Sequence, residues 1–300
     1  MTTDPHLDEL DDHDDDHDRG LQFDMSTLFD RRRLLALFAG AGATALLVAC
    51  GSGDDDAATA STSGGTSGTT ATTAAPGTAT AATAATAATD TSCSPIPEET
   101  AGPYPGDGSN GVNVLAESGI ARRDITSSFG TSTTRAEGIP LTITLTLTDT
   151  ANGCAPMAGA AVYLWHCDRD GNYSMYSPAV ADENYLRGVQ ETAAAGTVTF
   201  ETIFPACYSG RWPHVHFEVY RDLASATASS DLVATSQLAL PAETCDLVYA
   251  TSGYEASVRN LGQVSLARDN VFGDDGAAHQ LATMSGDVDT GFVAALAVAV

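Results

Sequence analysis

The sequence predicts an all-β protein: an antiparallel β-sandwich over residues 93–300, preceded by a disordered N-terminal region. Three observations carry that prediction. Residues 141–148 alternate apolar side chains with threonine without a break, as a strand with one buried face does. Residues 161–166 form a denser apolar run, suited to a strand covered on both faces. Further strand-like runs at 197–200, 214–220 and 232–238 accompany turn residues at Asn152-Gly153, Asp170-Gly171-Asn172 and Ser209-Gly210, a spacing that suits a sandwich. Short helices are expected only at 255–261 and 278–283.

The chain has 300 residues, of which 43% are hydrophobic, ample for a packed core. Acidic residues outnumber basic ones 39 to 13, every basic residue is an arginine, and the formal charge is −26. Such a field repels phosphate backbones, so nucleic acid is excluded as a partner.

Ahead of the sandwich, residues 1–30 mix Asp and His and read as a solvated, disordered acidic tail rather than a metal-collecting tract. Arg31, Arg32 and Arg33 then precede an apolar run over 34–49. Sixteen residues fall short of the roughly 20 that a spanning helix needs, so 31–50 reads as a signal peptide. Its end, Leu47-Val48-Ala49-Cys50, resembles the lipobox of bacterial-type lipoproteins, and its start resembles a twin-arginine export signal. The expectation is a domain outside the cytoplasm, held to the cell membrane by a lipid on Cys50; an uncleaved anchor leaves the domain on the same side. Residues 51–92 are nearly all Gly, Ser, Thr, Ala and Asp, a composition without a core. They read as a flexible tether with a typical reach of roughly 35 Å.

Without Cys50, five cysteines remain in the sandwich: Cys93, Cys154, Cys167, Cys207 and Cys245. At most two disulfides can form within the chain. Cys207–Cys245 is the preferred pair, because it would clip a long loop beside the presumed site; connectivity is otherwise open.

The segment Arg211-Trp212-Pro213-His214-Val215-His216 carries the most chemistry. Alternate residues of a strand share a face, so His214 and His216 can grip one ion. By itself the pair is a weak signal, and two surface imidazoles on a sheet edge are the commoner meaning of such a pattern. Two neighbouring segments add to it: Phe204-Pro205-Ala206-Cys207-Tyr208, and Gly171-Asn172-Tyr173-Ser174 after the strand ending Trp165-His166-Cys167-Asp168.

Together with Leu186-Arg187-Gly188-Val189-Gln190 and Thr202-Ile203, these segments resemble the intradiol ring-cleavage dioxygenases, the family of catechol 1,2-dioxygenase and protocatechuate 3,4-dioxygenase, and especially its exported branch. The resemblance runs from residue 93 to about residue 240. It implies that Tyr173, Tyr208, His214 and His216 ligate a non-haem Fe(III), with Tyr173 and His214 equatorial and Tyr208 and His216 axial. It implies a small aromatic diol and O2 as substrates, and a cis,cis-muconate-type diacid as product. Tyr208 would leave the metal to take a substrate proton, Arg211 would stabilise negative charge on the ring, and Gln237 would lie near the oxygen pocket. Two phenolates and two imidazoles make a hard, anionic donor set that favours Fe(III), and a trivalent ion draws a phenol far below its usual pKa of about 10.

Plainer readings stand beside these. Arg211 also fits a surface ion pair. His166 shares a face with Val162 and Leu164 and reads as a satisfied core histidine, while Tyr163, Trp165 and Trp212 read as packing residues. Tyr104, in Gly102-Pro103-Tyr104-Pro105, matches a family segment that borders the site, although a structural turn is the simpler account. The helical dimerisation region of cytoplasmic catechol dioxygenases has no counterpart before Leu141, so oligomeric state is not carried over. The alternative functions are a non-catalytic binding module on the same sandwich and a zinc or copper hydrolase using His214 and His216.

Overall fold

The computed structural model describes residues 93–300. The acidic tail, the export segment with Cys50 and the tether expected over 1–92 lie outside the described residues. Nine strands form two sheets. One holds β1 (Pro140–Asp149), β2 (Ala155–Pro156), β5 (Thr197–Ile203), β8 (Thr283–Asp287) and β9 (Gly291–Ala299). The other has the order β4 (Arg187–Glu191), β3 (Ala161–Trp165), β6 (His214–Tyr220), β7 (Leu232–Ala239).

The alternation in β1 does what its pattern predicts. Leu141, Ile143, Leu145 and Leu147 are buried, while the threonines between them are half-buried on the outer side. They meet Phe200 of β5 and Phe292 and Leu296 of β9 from their own sheet, and Val162, Leu164, Val215, Phe217 and Val219 from the facing one. That interlayer core is the sandwich. One pairing departs from the antiparallel expectation, since β1 runs parallel to β9 from Leu141↔Phe292 to Thr148↔Ala299.

The outer side of the second sheet is covered as well. The strap from Cys93 onward pairs with it through Glu99 N–H to Thr235 O (2.8 Å) and Arg122 N–H to Val189 O (3.0 Å). Val114, Leu115 and Ile120 pack on Ala161, Tyr163, Trp165 and Tyr220. Every residue of β3 and of β6 is therefore buried, whichever way it points.

Three expectations need correction. Residues 278–283 form no helix: 278–280 make a single turn, with Gln280 N–H and Leu281 N–H donating to Ala277 O (3.0 Å each), and from 281 the chain runs extended, with Ala282 N–H donating to Ala239 O (2.9 Å). Helices do form at Ala242–Tyr249 (α1) and, as expected, at Glu255–Leu261 (α2). Cys207 and Cys245 are not bonded to one another. Each thiol faces a nearby carbonyl instead, Cys207 that of Arg211 (3.6 Å) and Cys245 that of Leu240 (3.9 Å), and Cys167 is also free and buried. The disulfide links Cys93 to Cys154 and so fastens the start of the strap to the turn before β2.

Candidate functional site

The site is built on the outer side of β6. His214 and His216 leave that side, and both are buried. Trp165, paired with His216 across β3, stacks on its ring with centroids 4.9 Å apart and planes 5° apart. Two loops bring phenols to this strand. The β3–β4 loop carries Tyr173, whose N–H donates to Ser177 Oγ (2.9 Å), and the β5–β6 loop carries Tyr208. Gly171 has a φ of 92°, which favours glycine, and a Cβ there would stand a tight 3.3 Å from Tyr208 Cβ where the two loops meet.

Tyr208 Oη lies 3.2 Å from His214 Nε2, which lies 3.1 Å from His216 Nε2. The tautomer of His214 follows from its other nitrogen. Nδ1 is 2.5 Å from the Trp212 carbonyl and must donate to it, which leaves a lone pair on Nε2 facing the other two groups. The Tyr173 ring packs edge-on against both Tyr208 and His216, with centroids 6.0 and 6.2 Å away. Its hydroxyl is buried with no hydrogen-bond partner, as is His216 Nδ1. The structure thus brings together all four residues singled out from the sequence.

Burial keeps the histidines and Tyr173 of this cluster uncharged. Burial, aided by Arg211, holds His214 well below the usual imidazole range, and burial with the neighbouring His214 does the same for His216. Both rings are neutral and able to donate a lone pair. Burial, then Tyr208, pushes the Tyr173 phenol well above 10, so it ionises only beside a positive charge. Among the described residues no group of three or more His, Cys, Asp or Glu is placed to hold a metal.

Arg211 is not at the surface. It is 1% exposed and pairs through Nε with Asp269 Oδ2 (3.1 Å), while Nη2 donates to Gln237 Oε1 (2.7 Å). Gln237 stands opposite His216 on β7 and gives its own N–H to Thr100 O (2.8 Å). Asp269 also accepts from the backbone N–H groups of Trp212 (2.6 Å) and Val271 (2.9 Å), so one carboxylate fixes both the arginine and the start of the histidine segment. The sequence reading missed Asp269, which sits in no motif and comes from a region 58 residues further along the chain.

The remaining candidates sort as follows. His166 is a core histidine, bonded at Nδ1 to Cys167 O and at Nε2 to Thr202 Oγ1, each at 2.7 Å. Trp212 packs against Phe272 and gives its indole N–H to Leu240 O (2.8 Å). Tyr104 does border the site, with its ring centroid 5.0 Å from that of Tyr173. Gly102 belongs to the same strap, and a Cβ there would lie 3.4 Å from His216 Cε1. A groove of about 280 Å³ beside Asp168, Asp170 and Tyr185 contains none of the four.

Residues 123–225 match the Dioxygenase family, a stretch that spans Tyr173, Tyr208, Arg211, His214 and His216 and stops before Gln237 and Asp269. A chlorocatechol 1,2-dioxygenase of Rhodococcus opacus is 43% identical over 53 residues, or 18% of this chain, and the chain spans about a fifth (21%) of that relative's length. The solved intradiol ring-cleavage dioxygenase from Tetranychus urticae is similar over 69% of this chain and 94% of its own, at 28% identity and a TM-score of 0.55. The family match thus runs through the strands and loops that build the site, and over nearly the whole of that solved relative the chain is similar in fold to an intradiol ring-cleavage dioxygenase.

Proposed function

We propose that this protein is a ferric dioxygenase that opens the ring of a catechol between its two hydroxyl-bearing carbons, taking up O2 and releasing a cis,cis-muconate-type diacid. The observation that carries the reading is the buried convergence of Tyr208 Oη, His214 Nε2 and His216 Nε2, with the partnerless Tyr173 hydroxyl beside them. Two neutral imidazoles and two phenols, of which burial holds Tyr173 protonated until a positive charge stands beside it, are a donor set for a small, hard, trivalent ion. Tyr173, Tyr208, His214 and His216 would hold the iron. Bound Fe(III) supplies Lewis acidity and an electron acceptor for the substrate diolate.

The chain's own groups do the rest. Of the two phenols, Tyr173 is buried beneath Tyr104, whereas Tyr208 is half-buried and so the more open to an incoming substrate. Once ionised beside the iron, Tyr208 Oη would be the base that takes a proton from one catechol hydroxyl and becomes the neutral phenol. Arg211, aimed by Asp269 and Gln237, offsets the negative charge that grows on the ring. Trp165, stacked on His216, keeps water from that imidazole.

Oxygen-electrode assays with catechol test the reading, with 18O2 and mass analysis of the product. The expected result is a diacid carrying both labelled atoms. Tyr208→Phe is expected to keep its iron and lose at least tenfold in kcat; wild-type turnover in that variant removes the assigned role. The proposal extends to export and lipid anchoring at Cys50, on the Arg31–Arg33, apolar and Leu-Val-Ala-Cys pattern. Cys50→Ser is expected to move the protein from the membrane fraction to the soluble one.

A further inference from the structure

The most fully bonded cation described in the molecule lies outside the site. Arg187 on β4 is 1% exposed, and all five of its N–H groups are used on neutral acceptors. Nε donates to Ser174 Oγ (3.1 Å), and Nη2 donates to Ser174 O and Tyr104 O (3.0 Å each). Nη1 donates to Pro105 O (2.9 Å) and Tyr163 Oη (3.0 Å). One planar guanidinium thus joins the strap, strand β3 and the β3–β4 loop. Two of those segments carry rings that meet: Tyr173 precedes Ser174, and Tyr104 packs on Tyr173.

The backbone around this junction is held in conformations it would not choose. Met175, directly after Ser174, has a φ of 73°, and Leu186, directly before Arg187, has a φ of 57°. Left-handed backbone at residues with a Cβ persists only where surrounding contacts over-determine it, and such residues cluster at functional sites. Gly106 is constrained by the same junction: its φ is 68°, and a Cβ there would stand 3.0 Å from Arg187 Nη1. Burying a cation among neutral groups is costly. A lysine has only three donors and no planar fork, so it cannot make these five bonds.

We infer that Arg187 is a positioning residue, a clamp that sets Tyr173 and holds the Tyr104 segment against it so that the two move as one unit. The clamp is read from bonds that need no metal; only the use made of Tyr173 rests on the proposed function. Ser174 and Tyr163 touch the guanidinium from opposite sides, and this gives the test. Hydrogen–deuterium exchange of the metal-free protein is measured over 101–107 and 172–177, with β1 and β9 as internal controls of folding. Ser174→Ala is expected to speed exchange in the distant 101–107 segment by about threefold or more, and Tyr163→Phe to do the same in 172–177. Arg187→Lys is expected to speed both together by at least tenfold. If each substitution loosens only its own segment, the clamp is wrong, and the two milder variants decide the matter should Arg187→Lys fail to fold. In iron-loaded protein, Ser174→Ala is expected to shift the visible tyrosinate absorption at unchanged iron content, and an unshifted band overturns the positioning role. A protein that binds no iron would sink the proposed function and leave the exchange result standing.

Discussion

Val215, Phe217 and Val219 leave one side of β6 for the core between the sheets, while His214, His216, Glu218 and Tyr220 leave the other, and all seven are buried. The inner side stabilises by apolar area removed from water, about 25 cal/mol per Å². The outer side buries two imidazoles, a carboxyl and a phenol beneath a strap, with His216 Nδ1 lacking a partner. A buried polar group left unsatisfied costs about 1–3 kcal/mol. Equal burial therefore hides unequal roles: one side of the strand holds the sandwich together, and the other is kept at a cost in stability that the proposed metal binding would account for.

Substitutions that separate the two sides should break or sharpen this contrast. The largest effect is expected on the inner side. Phe217→Ala should lower stability by about 3–5 kcal/mol in urea unfolding, while iron per folded chain stays near the wild-type value. A large loss of iron with little loss of stability would erase the distinction. Next comes Asp269→Asn, which leaves the buried Arg211 charge without its carboxylate and should cost about 3 kcal/mol, with kcat falling more than KM rises. His216→Ala should reverse the pattern of Phe217→Ala, weakening iron binding at least 100-fold while stability falls by no more than about 2 kcal/mol.

The smallest effect concerns the strap. Burial, then Asp274, raises Glu99 to about 7, above the usual carboxyl value of 4.5. A carboxyl raised in the folded state stabilises most below pH 4.5, and that contribution is lost as pH rises through 7. Glu99→Gln is thus expected to stabilise the protein by about 1–2 kcal/mol at pH 8 and to change little at pH 4.5. An equal effect at both pH values would show that Glu99 does not titrate in this window.

Much of the fold was legible because the strands obey period two. β1 reads directly from its threonine alternation, and β3 and β6 from their density. β9 alternates just as strictly in the structure, with Phe292, Ala294, Leu296 and Val298 inward. Its outward residues include Val293, Ala295 and Ala297, so hydropathy hides the period. The same weakness conceals α1, whose buried residues Thr244, Cys245, Val248 and Tyr249 are only partly apolar. Within the site, the shared side of His214 and His216 was legible from strand alternation, and the meeting of Tyr173 and Tyr208 with them was an expectation of the family resemblance. Asp269 and the clamp at Arg187 were not, because their meaning lies in partners brought close by the fold, 58 residues away for Asp269 and 82 for the Arg187–Pro105 bond. The cysteine pairing failed for a similar reason, since the Cys93–Cys154 bond depends on where the strap begins over the first sheet.

Iron content and visible absorption of the purified protein test the central claim most directly. One Fe(III) per chain is expected, with a tyrosinate band in the visible range that weakens in Tyr173→Phe and in Tyr208→Phe. Protein that stays colourless and iron-free after exposure to ferric iron, or a band that survives both substitutions, would contradict the account.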